Sequence, residues 1–71
     1  MASLQADHWV TVQQGFNRNV YIDVTTNEEC HWRILWLPWS GSFHNNVSIY
    51  ILAGELQIKS PVDTEYTIRV G

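Results

Sequence analysis

Alternation with period two runs through this sequence and constrains its fold more than any other feature. Apolar, β-branched and aromatic residues take every second place around Val20-Tyr21-Ile22-Asp23-Val24, Trp32-Arg33-Ile34-Leu35-Trp36, Val47-Ser48-Ile49-Tyr50-Ile51 and Tyr66-Thr67-Ile68-Arg69-Val70. That spacing gathers one set of side chains on one face of a strand. No eleven-residue window carries a helical stripe. Strands are predicted over residues 8–13, 19–25, 31–37, 47–52, 55–59 and 64–70. Turn chemistry separates them at Gln14-Gly15, Thr26-Asn27, Pro38 to Asn46, Ala53-Gly54 and Ser60-Pro61. The reading is one all-β domain over 1–71, an antiparallel β-barrel or sandwich of about six strands.

Parity then sorts the faces. The predicted core is Val20, Ile22 and Val24, then Trp32, Ile34 and Trp36, Val47, Ile49 and Ile51, and Tyr66, Ile68 and Val70. The opposite face carries Tyr21 and Asp23, His31, Arg33, Leu35 and Leu37, and Ser48, Tyr50 and Leu52. Asp23 is placed opposite His31 and Arg33 as a cross-strand ion-pair partner. Leu35, Leu37 and Leu52 make this second face too apolar to meet water alone, so a further layer or chain is expected over it.

Length sharpens that expectation. A chain of 71 residues buries only about 60% of the surface its unfolded form exposes. Domains of this size are commonly held by disulfides, a metal or a partner. Cys30 is the one cysteine, so no intrachain disulfide forms. It is expected to be a small, partly buried thiol whose ionisation Glu28 and Glu29 oppose. A partner copy would cover the apolar face and the free sheet edges together. A homodimer, with strands exchanged between copies, is therefore expected.

Composition excludes several classes. With 45% hydrophobic and 15% charged residues, the chain is too apolar and too weakly charged for disorder. No 18-residue apolar run offers a transmembrane helix. Seven acids face four bases, for a net charge of −3, and no two bases adjoin. Nucleic acid and anionic membranes both need clustered bases, so neither is an expected partner. Residues 1–6 show neither a basic nor an apolar signal-peptide region. With a single thiol, this points to the cytoplasm.

Two stretches, Arg33 to Phe43 (RILWLPWSGSF) and Ser48 to Gly71 (SIYILAGELQIKSPVDTEYTIRVG), together resemble the cupin family. The most telling part is Ile49-Tyr50-Ile51-Leu52-Ala53-Gly54-Glu55-Leu56, similar to the family's strand, glycine turn and returning strand. Leu35-Trp36-Leu37-Pro38 looks like its entry into a metal-binding loop, and the Trp9 to Gly15 stretch is similar to the start of some small cupins. The resemblance implies a jelly-roll barrel with a ligand cavity and a tight hairpin at Gly54, where a positive φ is expected. Metal-binding members place two histidines and a glutamate before that glycine. Those places fall here on Gly41 and Phe43, or Ser40 and Ser42, and on Val47. None is a ligand, and the second motif would begin only at Gly71. A metal site is therefore not expected, and no cofactor is assigned.

The expected function is small-ligand binding in the barrel mouth without catalysis, through Arg33, Trp39, His44 and Tyr50. Trp39 follows Pro38 in a serine- and glycine-rich loop where no strand packing explains it. A second reading is therefore a carbohydrate- or protein-binding sandwich that uses Trp39 and the loop from Ser40 to Asn46. A third is a metal-dependent cupin enzyme with a rearranged site on His31 and His44. His8, His31 and His44 contain no short-range pair such as H-x-H.

Overall fold

A computed structural model describes residues 2–71 and shows strands β1 (Ala2–Leu4), β2 (Val10–Val24), β3 (Cys30–Leu35), β4 (Trp39–Phe43), β5 (Asn46–Lys59) and β6 (Thr64–Val70). All neighbours are antiparallel, in one sheet of order β1-β6-β2-β5-β3-β4. The all-β class and the strand number follow the alternation. Connectivity departs from it at the glycines.

Gly15 and Gly54 are not turns. Each lies inside a long strand, of 15 residues in β2 and 14 in β5, and the two face each other in register. Their φ values are +140° and +126°, so the positive φ expected at Gly54 is present but bends a strand instead of closing a hairpin. Glycine inside a strand marks such a sharp bend or a close backbone approach, and Gly54 does both. A Cβ there would overlap the Leu35 carbonyl oxygen and press on Ile34 Cγ2 at 3.1 Å.

On one side of the bend, β5 pairs with β3 through Glu55–Lys59, and β4 extends that section. On the other, β2 pairs with β6 through Val20–Val24, and β1 closes the far edge. One sheet thus curls into a half-barrel whose two sections face each other across the core. Burial along β5 changes phase accordingly, from Ile49 and Ile51 to Leu56 and Ile58. A bulge between Thr11 and Gln13 absorbs one residue on β2.

The core is closed within one chain. Val20, Ile22, Ile51, Leu56, Ile58 and Cys30 are fully buried, and Leu4 reaches in from β1 at 1% exposure. Cys30 is thus more deeply buried than expected. Desolvation pushes its thiol up, a bond with Ser60 opposes this, and the Glu28 charge adds to the rise.

Four further expectations change. Val70, placed in the core by parity, is 45% exposed at the end of β6. Trp36 is 73% exposed, at φ +82°, in the turn that ends β3. Pro38 cannot continue a paired strand, and Leu37 packs on the core in place of Trp36. The second face therefore does not carry Leu35, Leu37 and Leu52 together. Part of the expected loop from Pro38 to Asn46 is strand β4, where the Trp32 indole lies across Gly41 and a Cβ would stand 2.8 Å from Trp32 Nε1. Asp23 pairs in register with Asn46 and Thr67, not with β3.

Candidate functional site

The outer face of the β4-β3-β5 section carries an open cleft of about 570 Å³, lined by Trp9, His31, Arg33, Ser40, Ser42 and Lys59. Register builds it. His31 lies between Ser42 on β4 and Lys59 on β5, and Arg33 lies between Ser40 and Gln57. Alternation turns both rows outward.

Trp9 forms the wall. Its segment is pinned where Ala6 N donates to Asp63 Oδ1 at 2.8 Å and Asp7 N donates to the Ser60 carbonyl at 2.7 Å. The indole then meets two cations, with Arg33 Cζ 4.1 Å and Lys59 Nζ 5.1 Å from its centroid. Arg33 Nε donates to Gln57 Oε1 at 2.8 Å, and Gln57 Nε2 donates to Thr11 Oγ1 at 3.0 Å. This relay fixes Arg33 through its Nε–H, with the guanidinium carbon over the Trp9 ring.

The charge balance is unusual for an acidic chain. Two of its four Lys and Arg residues share one indole. Among the described residues the one contact within 4 Å between a basic side chain and a carboxylate is His31 Nε2 to Glu29 Oε1 at 3.9 Å, so neither Arg33 nor Lys59 is paired with a carboxylate. Cation–π contact offsets part of their mutual repulsion, and an anion between them would offset the rest.

Beside the cleft runs a shallower groove of about 370 Å³ along the β3-β4 turn, lined by Trp36, Pro38 and Trp39 together with Arg33 and Ser40. Arg33 and Trp39 both border this groove, but Trp39 is the register partner of buried Ile34 and so leaves the sheet on the face opposite Arg33 and Ser40. His44 and Tyr50 line neither space. His44 Nδ1 lies 3.1 Å from the Asn27 carbonyl oxygen, beside Asn45, whose Nδ2 donates to Thr26 O and Asn27 Oδ1. Tyr50 donates to Asn17 Oδ1 at 2.7 Å on the other section. The ligand was expected in the barrel mouth, and the interior behind it holds the core side chains. Among the described residues no three His, Cys, Asp or Glu side chains are grouped to hold a metal ion, and no helix is long and apolar enough to cross a membrane.

Trp9 and Lys59 were not singled out as ligand contacts from sequence. Trp9 falls within the strand predicted over 8–13, whereas β2 begins only at Val10, and Lys59 reaches the site only because β5 passes beside β3. Comparisons with protein families, with curated proteins and with solved structures found no match for this chain.

Proposed function

We propose that this chain is a small-ligand-binding domain whose outer cleft takes an anionic ligand between Arg33 and Lys59. One observation carries the reading: two cations stacked on Trp9 with no carboxylate partner. Arg33 offers a planar fork of donors matched to a carboxylate or phosphate, and Lys59 a point charge beside it. The cleft volume lies within the range of ordinary ligand sites. The cupin-like reading is kept only as a resemblance consistent with the all-β half-barrel. The site assigned here lies outside the barrel, not in its mouth.

Titration of ¹⁵N-labelled protein with inorganic phosphate, sodium glucuronate and neutral glucose tests the proposal. Phosphate and glucuronate should move the Arg33 Nε–H and Trp9 indole N–H resonances. Losing one charge-assisted bond in Arg33→Gln should weaken phosphate binding by about tenfold or more. Equal shifts with glucose, or an unchanged affinity in Arg33→Gln, refute the assignment.

A second reading, carbohydrate binding through Trp39 and the segment from Ser40, is favoured by one feature: the Trp39 groove shares Arg33 and Ser40 with the cleft. Self-association remains part of the proposal. Support comes from exposed Phe16 and Leu52 at the sheet bend, 64% and 47% exposed, and from the outer edges of β1 and β4. A core closed within one chain favours docked surfaces over exchanged strands.

A further inference from the structure

Building on the self-association just proposed, we infer that two copies join edge to edge along the first half of β5, Asn46 to Leu52, in antiparallel pairing about a two-fold axis at Ile49. The sheet bend creates this edge. Along one side β5 pairs with β2 from Asn46 to Ile58, whereas on the other side β3 pairs with it only through Glu55–Lys59. Among the described residues no strand is paired to that second side of Asn46 to Leu52. Its alternate backbone N–H and C=O groups therefore face out of the sheet without a strand partner.

Sheet edges are normally blunted by shortness, charge, proline or a bulge. The other free edges among the described residues show such features. β1 has only three residues. β6 reaches β2 only at Val20–Val24, and the uncovered side of β2 before it carries the bulge between Thr11 and Gln13, the bend at Gly15 and the charge of Arg18. β4 has five residues with Gly41 at its centre, against the Trp32 indole. Asn46 to Leu52 (NVSIYIL) has no charge, proline or glycine, and no bulge interrupts its pairing with β2. Val47, Ile49, Tyr50 and Ile51 all favour strands. A segment of this length and composition, left with a free edge, is a template for another strand.

The occupant is an extended strand, because only a strand matches alternating backbone groups, and the segment itself supplies one. A two-fold axis through Ile49 sets Val47 opposite the partner's Ile51 on the inner face. On the outer face it sets Ser48 opposite the partner's Tyr50 and Asn46 opposite the partner's Leu52. Ile49 and Ile51, 5% and 0% exposed, keep their places in the core, while Tyr50 and Leu52, both 47% exposed, are partly covered. No charge lies on the seam, so two copies of a chain of net charge −3 meet there without repulsion. Asp23 stands beside Asn46 and Arg18 beside Ile51 on β2, so the axis brings the acidic end of one copy to the basic end of the other. Pairing consumes the same edge in both copies, which closes the assembly at two chains. The Arg33–Lys59 cleft lies on the other section and stays open.

Hydrogen exchange and light scattering on the native chain, from micromolar to millimolar concentration, test the inference. Outward-facing amides between Asn46 and Leu52 should gain at least tenfold protection as the two-chain mass appears, with those of β1 and β4 unchanged. Ser48→Lys/Tyr50→Lys sets like charges across the axis, whereas Ser48→Lys/Tyr50→Glu sets opposite ones. The first should associate at least tenfold more weakly than the second. Both lose the Tyr50 bond to Asn17, so their difference reads charge alone. The exchange result needs no variant and decides the matter even where a variant fails to fold. A two-chain mass with protection arising on β1 or β4 instead, or equal association of the two folded variants, overturns the β5 edge and leaves self-association standing. A single-chain mass at every concentration overturns both.

Discussion

Gly15 and Gly54 face each other in register with similar positive φ values, +140° and +126°, but their surroundings differ. Alanine substitution at each therefore separates two costs. At Gly15 a new Cβ would meet nothing closer than Arg18 Cγ at 3.9 Å, so the cost is conformational, about 1–3 kcal/mol. At Gly54 the same strain is joined by overlap with the Leu35 carbonyl oxygen and crowding of Ile34 Cγ2 at 3.1 Å. The oxygen belongs to the backbone of β3 and cannot rotate aside, and overpacking adds about 1–3 kcal/mol. Gly54→Ala should thus lose about 2–6 kcal/mol and Gly15→Ala about 1–3.

A domain of this size holds roughly 3–5 kcal/mol in all. Gly15→Ala should therefore retain a cooperative urea transition at a lower midpoint. Gly54→Ala should be largely unfolded in buffer, because each kcal/mol shifts the melting temperature of a small domain by about 4–8 °C. Equilibrium unfolding followed by tryptophan fluorescence and far-UV circular dichroism measures both variants. Two equal losses would show that β3 slides away from Gly54 and that the close approach is not a constraint. Two losses below about 0.5 kcal/mol would refute the bend as the organising feature of the sheet.

Cys30 gives a pH signature. Its folded pKa lies above the ordinary 9.0, chiefly through desolvation, so the folded state holds the thiol proton more tightly than the unfolded chain. Stability from this group is fully present below about pH 9 and declines as pH rises through the folded pKa, by at most about 1.4 kcal/mol per unit. Urea midpoints at pH 8 and pH 10 should differ more for the native chain than for Cys30→Ala, and equal differences would contradict the assigned burial. The proposed self-association predicts a solution mass of two chains by light scattering at micromolar concentration. A single-chain mass at all concentrations would overturn it.

Alternation made the strands legible, and β6 runs over the predicted 64–70. The two longest strands were each divided in the sequence reading because glycine in a single sequence signals a turn as readily as a bend. What distinguishes them is the partner: Gly15 and Gly54 meet only after β2 and β5 pair across a separation the local pattern does not contain. β4 was hidden for a related reason. Ser40, Gly41 and Ser42 have poor strand propensity, and this edge strand is held by pairing to β3 and by Phe43, 5% exposed, packed in the core. Trp36 was misplaced because its parity is right for the core while the chain reverses one residue after Leu35.

The same distinction explains the site. Arg33 was legible as an outward base on an alternating strand, and Trp39 as an aromatic that no strand pattern accounted for. What makes Arg33 a candidate anchor is the company that β5 and the pinned segment before β2 bring to it: Lys59, Gln57 and Trp9. None of these is near Arg33 in sequence, and each arrives through non-local strand pairing or a loop bond. Bending the sheet at the glycine pair gives the section of β3, β4 and β5 its own outer surface while its inner face closes the core. The two glycines therefore sustain both halves of the argument. A substitution at Gly54 that pushes against the Leu35 carbonyl also pushes on β3, the strand from which Arg33 projects, so the fold and the cleft should weaken together.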